Sequence, residues 1–107
     1  MKRILKSYLE DHKEKLTLSE EVDPTIKSEF EDALERVKNL PDQPPQVQLE
    51  MYGLYKQAHK GDVTGKRPGG MKIRERYKFD AWASKKGMSK EDAMKAYIEL
   101  VNKLEKS

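Results

Sequence analysis

Apolar positions recur with helical periodicity in four segments after residue 25. Phe30, Ala33, Leu34, Val37 and Leu40 fall at i, i+3, i+4, i+7 and i+10, a single stripe along one helix. Pro41, Pro44 and Pro45 close that segment, with Pro45 placed to open the next. From Gln46 to His59, Val47, Met51, Leu54, Tyr55 and Ala58 share one face. The stretch from Gly61 to Gly70 holds four of the six glycines plus Pro68, so an irregular connection is predicted. A third helix fits Arg74 to Lys86, with Phe79 and Trp82 three apart and Gly87 as its C-cap. Ser89 is a good N-cap with Asp92 three residues on, and a fourth helix follows through Met94, Tyr97, Val101 and Leu104. β-branched residues are sparse and no apolar/polar alternation runs long. The pattern is all-α.

Ahead of these lies a separate stretch. Ile4, Leu5, Tyr8, Leu9, His12 and Leu16 also repeat at helical spacing, and Asp23-Pro24 then interrupts. Residues 1–25 are read as a helical N-terminal extension and residues 26–107 as one domain. A helix lying on a membrane surface fits the extension less well, because its polar positions mix acids with bases.

Charged residues make up 38% of the 107-residue chain, a level that suits disorder, but the periodic apolar positions argue for a folded domain with wide solvated helix faces. The absence of cysteine excludes disulfides, thiolate metal sites and cysteine nucleophiles. No apolar run approaches the roughly 20 residues that span a bilayer. Glu10, Asp11 and Glu14 follow the opening Met1-Lys2-Arg3-Ile4-Leu5 at once, unlike a signal or transit peptide, so a soluble, cytoplasmic protein is expected. Net charge is +3. Residues 1–25 carry five basic and six acidic side chains, which leaves +4 on the remainder. A mildly basic domain attracts anions, whether nucleic acid, phosphorylated metabolite or anionic lipid.

Catalytic signatures are missing. His12 and His59 are the only histidines, and neither has metal-ligand spacing around it. There is no nucleophile elbow and no Walker loop. Gly65-Lys66-Arg67-Pro68-Gly69-Gly70 is Gly-rich and basic but lacks the strand that precedes a phosphate loop. No catalytic residue, metal or cofactor is therefore expected. The informative segment is Met51 to Ala58. Tyr52, Tyr55, Lys56 and His59 lie at i, i+3, i+4 and i+7, so two phenols, an ammonium and an imidazole share one helix face. Such a face can stack on a base while holding a phosphate. Equally, the tyrosines can be edge-of-core residues over which Lys56 snorkels. By spacing alone Lys78 is an ordinary solvated lysine and Tyr97 a core residue.

These stretches in order resemble the acyl-CoA-binding protein family: Phe30 with Val37-Lys38; Tyr52-Gly53-Leu54-Tyr55-Lys56-Gln57-Ala58; Gly61-Asp62 with Arg67-Pro68-Gly69; Lys78-Phe79-Asp80-Ala81-Trp82; then Gly87 and Ser89 to Ile98. The resemblance covers roughly residues 26–105. It implies an up-down-down-up bundle of four helices that binds a coenzyme A thioester, with the acyl chain in a groove between helices. Carried over residue by residue, Tyr52, Lys56 and Lys78 would hold the ribose 3′-phosphate. Tyr55 and Tyr97 would flank the adenine, and Lys38 would reach the nucleotide from the first helix. Gln57 and Ala58 belong to the motif without an assigned contact.

The sequence departs from the family pattern in places. Phe79 stands where tryptophan is usual, and an aromatic in the core is expected there. Leu34 replaces a customary alanine beside the acyl groove, where its bulk would alter chain-length preference. The Leu40–Tyr52 connection is Pro-rich and one residue short, and residues 71–77 are more basic than usual. The reading that follows is a monomeric carrier of medium- to long-chain acyl-CoA, meeting acyl-CoA-using enzymes or membranes transiently. An interaction module recruiting a partner through residues 1–25, a basic nucleic-acid binder and a thioesterase are the alternatives. The thioesterase lacks a nucleophile with a base, and the nucleic-acid binder lacks a docking motif.

Overall fold

The computed structural model describes residues 22–106, and the predicted helix in the N-terminal extension lies outside them. Four α-helices and one 3₁₀ turn make up the regular structure: α1 (Pro24–Arg36), a 3₁₀ turn (Val37–Asn39), α2 (Pro45–Lys60), α3 (Ile73–Ala83) and α4 (Lys90–Glu105). No strand occurs among the described residues. Helix α4 packs against both α1 and α2, and α3 packs against α2.

Asp23-Pro24, which reads as an interruption in the sequence, starts α1. The Asp23 carboxylate accepts from the Thr25 N–H at 2.7 Å, and Pro24 occupies a first-turn position that needs no N–H donor. Asp23 N–H in turn donates to Glu91 Oε1 on α4 at 3.1 Å, which seats the entry of α1 beside the start of α4. Pro45 opens α2 as expected, and Ser89 Oγ caps α4 by accepting from Asp92 N–H at 3.0 Å. At the other end of α1, Arg36 donates to Asp32 and Asn102 and pairs with Glu105, tying the ends of α1 and α4 together.

The core is the predicted stripe, Phe30, Ala33 and Leu34 of α1 with Val37 of the 3₁₀ turn, against Met51, Leu54, Tyr55 and Ala58 of α2 and Met94, Tyr97, Ile98 and Val101 of α4. Phe30 meets Tyr97 edge-on, ring centroids 5.3 Å apart. Helix α3 contributes differently. None of its residues is fully buried, so Phe79, expected in the core, is half-buried instead. Its backbone nonetheless lies close to α2. A Cβ at Gly53 would stand 2.4 Å from the Ala81 carbonyl oxygen, so only glycine permits this approach.

Helix α3 also ends three residues earlier than the sequence pattern predicts, at Ala83. Lys85, Lys86 and Met88 donate to carbonyls three residues back, a tight turn that runs to Gly87 at φ +94°. The turn is held by Asp62, whose Oδ1 accepts from Gly87 N–H and from Gln57 Nε2, each at 2.8 Å. Gln57 Nε2 also donates to the Met88 carbonyl at 2.7 Å. These bonds hold the Asp62 carboxyl below its ordinary pKa, chiefly through Gly87 N–H and then Gln57. A depressed folded pKa adds stability above the unfolded value of about 3.9 and loses it as pH falls through the folded value. Denaturant unfolding of wild type and Asp62→Asn should therefore differ at pH 7 and converge towards pH 3. A gap that stays constant with pH would assign the effect to shape rather than charge.

Candidate functional site

The predicted Tyr52–His59 face is a real feature of α2. Tyr52, Tyr55, Lys56 and His59 are all buried, with Tyr55 and His59 stacked at a centroid separation of 5.9 Å. Burying an ammonium is costly unless other groups offset the lost hydration. Lys56 Nζ lies 5.1 Å above the Trp82 ring of α3, a cation–π arrangement. Lys78 of α3 reaches back in the same way, with Nζ 4.8 Å above the Tyr52 ring. Each helix thus supplies one cation and one aromatic to the other.

These four side chains surround a pocket of about 210 Å³, completed by Phe79, Pro68 and Glu75. The structure therefore brings Tyr52, Lys56 and Lys78 together, although Lys78 lies 22 positions beyond Lys56 in sequence. Gly53 makes this convergence possible, because it lets α3 lie close against α2 directly beside Tyr52. Trp82 is fixed by its indole N–H, which donates to the Gly61 carbonyl at 2.7 Å. Two cations and a phenol against one acid, Glu75, around one opening can hold a multiply charged anion, and the Trp82 and Phe79 rings supply apolar surface beside it.

Three other predicted site residues lie deeper. Leu34, Tyr55 and Tyr97 are fully buried in the core between α1, α2 and α4. Burial pushes the Tyr97 phenol well above its ordinary pKa, so the hydroxyl stays protonated through neutral pH. Lys38 sits apart, on the exposed 3₁₀ turn after α1, where its ammonium pairs with Glu35 at 2.6 Å. Phe79, Trp82 and Pro68 line the pocket but carry no site role in the sequence reading. The signal for the first two was present: Lys78 and Trp82 are four apart and Phe79 and Trp82 three apart, so all three share one face of α3.

Comparison with known proteins converges on one family. Residues 27–101 match the family described as Acyl CoA binding protein. The chain is 50% identical over 80 residues to an acyl-CoA-binding protein of Gossypium hirsutum, spanning 74% of this chain and 90% of that protein. It is 46% identical over 76 residues to an acyl-CoA-binding protein of Saccharomyces cerevisiae, spanning 70% and 87%. Among solved structures, it resembles Oryza sativa Acyl-CoA-Binding Protein 2 with a TM-score of 0.74 at 46% identity, covering 76% of this chain and 91% of that one. It resembles ACBP from Moniliophthora perniciosa with a TM-score of 0.70 at 40% identity, covering 75% and 80%.

Proposed function

This chain belongs to the acyl-CoA-binding protein family, and on that footing we propose that it binds medium- to long-chain acyl-CoA non-covalently as a carrier. The family is one of binding proteins rather than enzymes. One observation carries the assignment to a site: Tyr52, Lys56 and Lys78 converge on a single pocket from two helices. In this reading Lys56 and Lys78 hold the 3′-phosphate of the nucleotide with the Tyr52 hydroxyl as a further donor. A phosphomonoester carries close to two negative charges at neutral pH, so two ammonium groups match it better than one.

The other assignments follow from the same reading. Tyr55 and Tyr97 flank the adenine, Lys38 approaches the nucleotide from the turn after α1, and Leu34 lines the acyl groove. Since Leu34, Tyr55 and Tyr97 are buried, a ligand reaches them only when the side chains over them move. Lys38 can turn to a phosphate by exchanging Glu35, because an exposed pair of this kind is worth at most about 1 kcal/mol.

The acyl chain supplies most of the affinity. Each buried methylene is worth about 0.8 kcal/mol, so lengthening the chain by two carbons should tighten binding roughly tenfold until the groove is full. Calorimetric titration with palmitoyl-CoA, octanoyl-CoA, free coenzyme A and palmitate tests this directly. One-to-one binding that is tight for palmitoyl-CoA and weak for each half of the molecule is the expected result. Equal affinity for palmitate and palmitoyl-CoA would remove the nucleotide from the recognition and overturn the reading.

A further inference from the structure

Helix α3 has a second face that the pocket does not use. Glu75, Lys78, Phe79 and Trp82 point to the pocket shared with α2, whereas Ile73 and Tyr77 lie one turn apart on the opposite side of the helix. Ile73 and Tyr77 are 57% and 56% exposed, and Met71 just before the helix is 96% exposed. They are the large apolar side chains that stand out in solvent among the described residues, and they sit within seven positions of one another. Exposed apolar side chains grouped in this way, rather than scattered singly, mark a candidate interaction surface.

The loop that carries Met71 is fastened to the helix. Arg67 makes a two-pronged pair with Asp80 of α3 at 2.8 and 2.9 Å, and Arg76 Nη1 donates to the Gly70 carbonyl at 3.5 Å. Arg67, Ile73, Arg76 and Tyr77 together line a notch of about 180 Å³. Two guanidinium groups therefore flank the apolar side chains at the surface.

Charge is concentrated in the same place. Leaving aside Lys78 and Glu75, which face the pocket, five basic side chains remain (Lys66, Arg67, Lys72, Arg74 and Arg76), and with Asp80 paired to Arg67 the net is +4. The whole chain carries +3, so everything outside these six residues is at −1. A positive patch on a molecule otherwise slightly negative orients it towards an anionic surface.

We propose that the exposed face formed by Met71, Ile73 and Tyr77, ringed by Lys66, Lys72, Arg74 and Arg76, docks this protein on anionic lipid bilayers. The apolar side chains enter the headgroup region while the basic ones meet lipid phosphates and carboxylates, the division of labour of a shallow interfacial anchor. A surface that reads phosphate alone has no use for solvent-facing apolar residues among its basic ones. The docked orientation sets the pocket of Tyr52, Lys56 and Lys78 on the other side of α3, so the ligand site is not buried against the membrane. This inference is independent of what that pocket holds.

Co-sedimentation of the full chain with large unilamellar vesicles tests it. Vesicles of phosphatidylcholine with 30% phosphatidylserine should take the protein down at low salt, and phosphatidylcholine alone should not. Raising salt to 0.5 M should release most of it. Ile73→Ser with Tyr77→Ser, and separately Lys72→Gln with Arg74→Gln, should each lower the partition coefficient about tenfold. Palmitoyl-CoA affinity should stay the same in both pairs, since none of the four residues lines the pocket. Wild-type protein that ignores the anionic vesicles would overturn the proposal. So would undiminished vesicle binding by the Ile73→Ser, Tyr77→Ser pair, which would leave charge alone as the cause.

Discussion

Replacing Lys56 and Lys78 together by methionine should weaken palmitoyl-CoA binding by roughly 100- to 10,000-fold. A hydrogen bond to a charged group is worth about 1.5–3 kcal/mol, and two such bonds to one phosphate are lost. Each single replacement should cost about ten- to a hundredfold, and Tyr52→Phe less than either, because its hydroxyl is a neutral donor. Methionine retains the length of the lysine stem, which matters for Lys56 because its side chain is buried against Trp82. The fold should survive the change. Methionine keeps the apolar stem packed on Trp82, so Lys56→Met should change thermal stability far less than it changes affinity. Titration calorimetry and thermal unfolding on the same samples separate the two effects. Affinity that survives the double replacement, in a protein that still melts cooperatively, would place the phosphate elsewhere.

That lysine pair also marks how far the sequence could be read. Tyr52 and Lys56 share one helix, so their spacing alone puts them on one face. Lys78 joins them only because α3 lies close to α2 at Gly53, and the contact of Gly53 with the Ala81 carbonyl is a fact of packing that no periodicity reveals. The same limit applies to Phe79. A half-exposed helix that lines a pocket and a helix that fills a core both show aromatics three or four residues apart. The structure separates them by showing that α3 buries no residue fully.

Helix boundaries were legible where the signal is local and obscure where it is not. Ser89 caps α4 by a hydrogen bond three residues on, and Pro45 opens α2 through its fixed backbone angle. Asp23-Pro24 is ambiguous by nature, since proline ends one helix and begins another with equal ease. The end of α3 depends on Asp62, 25 residues before the Gly87 N–H that it holds. Tyr97 is the opposite case. Its place on the apolar stripe of α4 predicts a core residue, and it is buried completely. The family resemblance adds a ligand role that periodicity could never suggest.

Those two readings of Tyr97 predict different things, and a pair of substitutions tells them apart. Tyr97→Ala removes a fully buried ring that meets Phe30 edge-on and should cost about 3–5 kcal/mol of unfolding free energy. Small domains have about 5–15 kcal/mol in total, so this variant should be close to unfolding at physiological temperature. Tyr97→Phe keeps the ring and should retain most of the stability at neutral pH. Its signature should come at alkaline pH. Burial raises the pKa of the folded phenol well above the unfolded value of about 10, so the folded state holds its proton longer than the unfolded state does. Wild-type stability should therefore begin to fall as pH rises through about 10, and go on falling until the folded phenol ionises. Tyr97→Phe should lack that component of the decline. If Tyr97 also flanks the adenine, phenylalanine preserves the contact face and palmitoyl-CoA affinity should change little. A tenfold loss of affinity in Tyr97→Phe with unchanged stability would instead make the hydroxyl itself a ligand contact. Urea unfolding from pH 8 to 11, paired with titration at pH 7, distinguishes these outcomes.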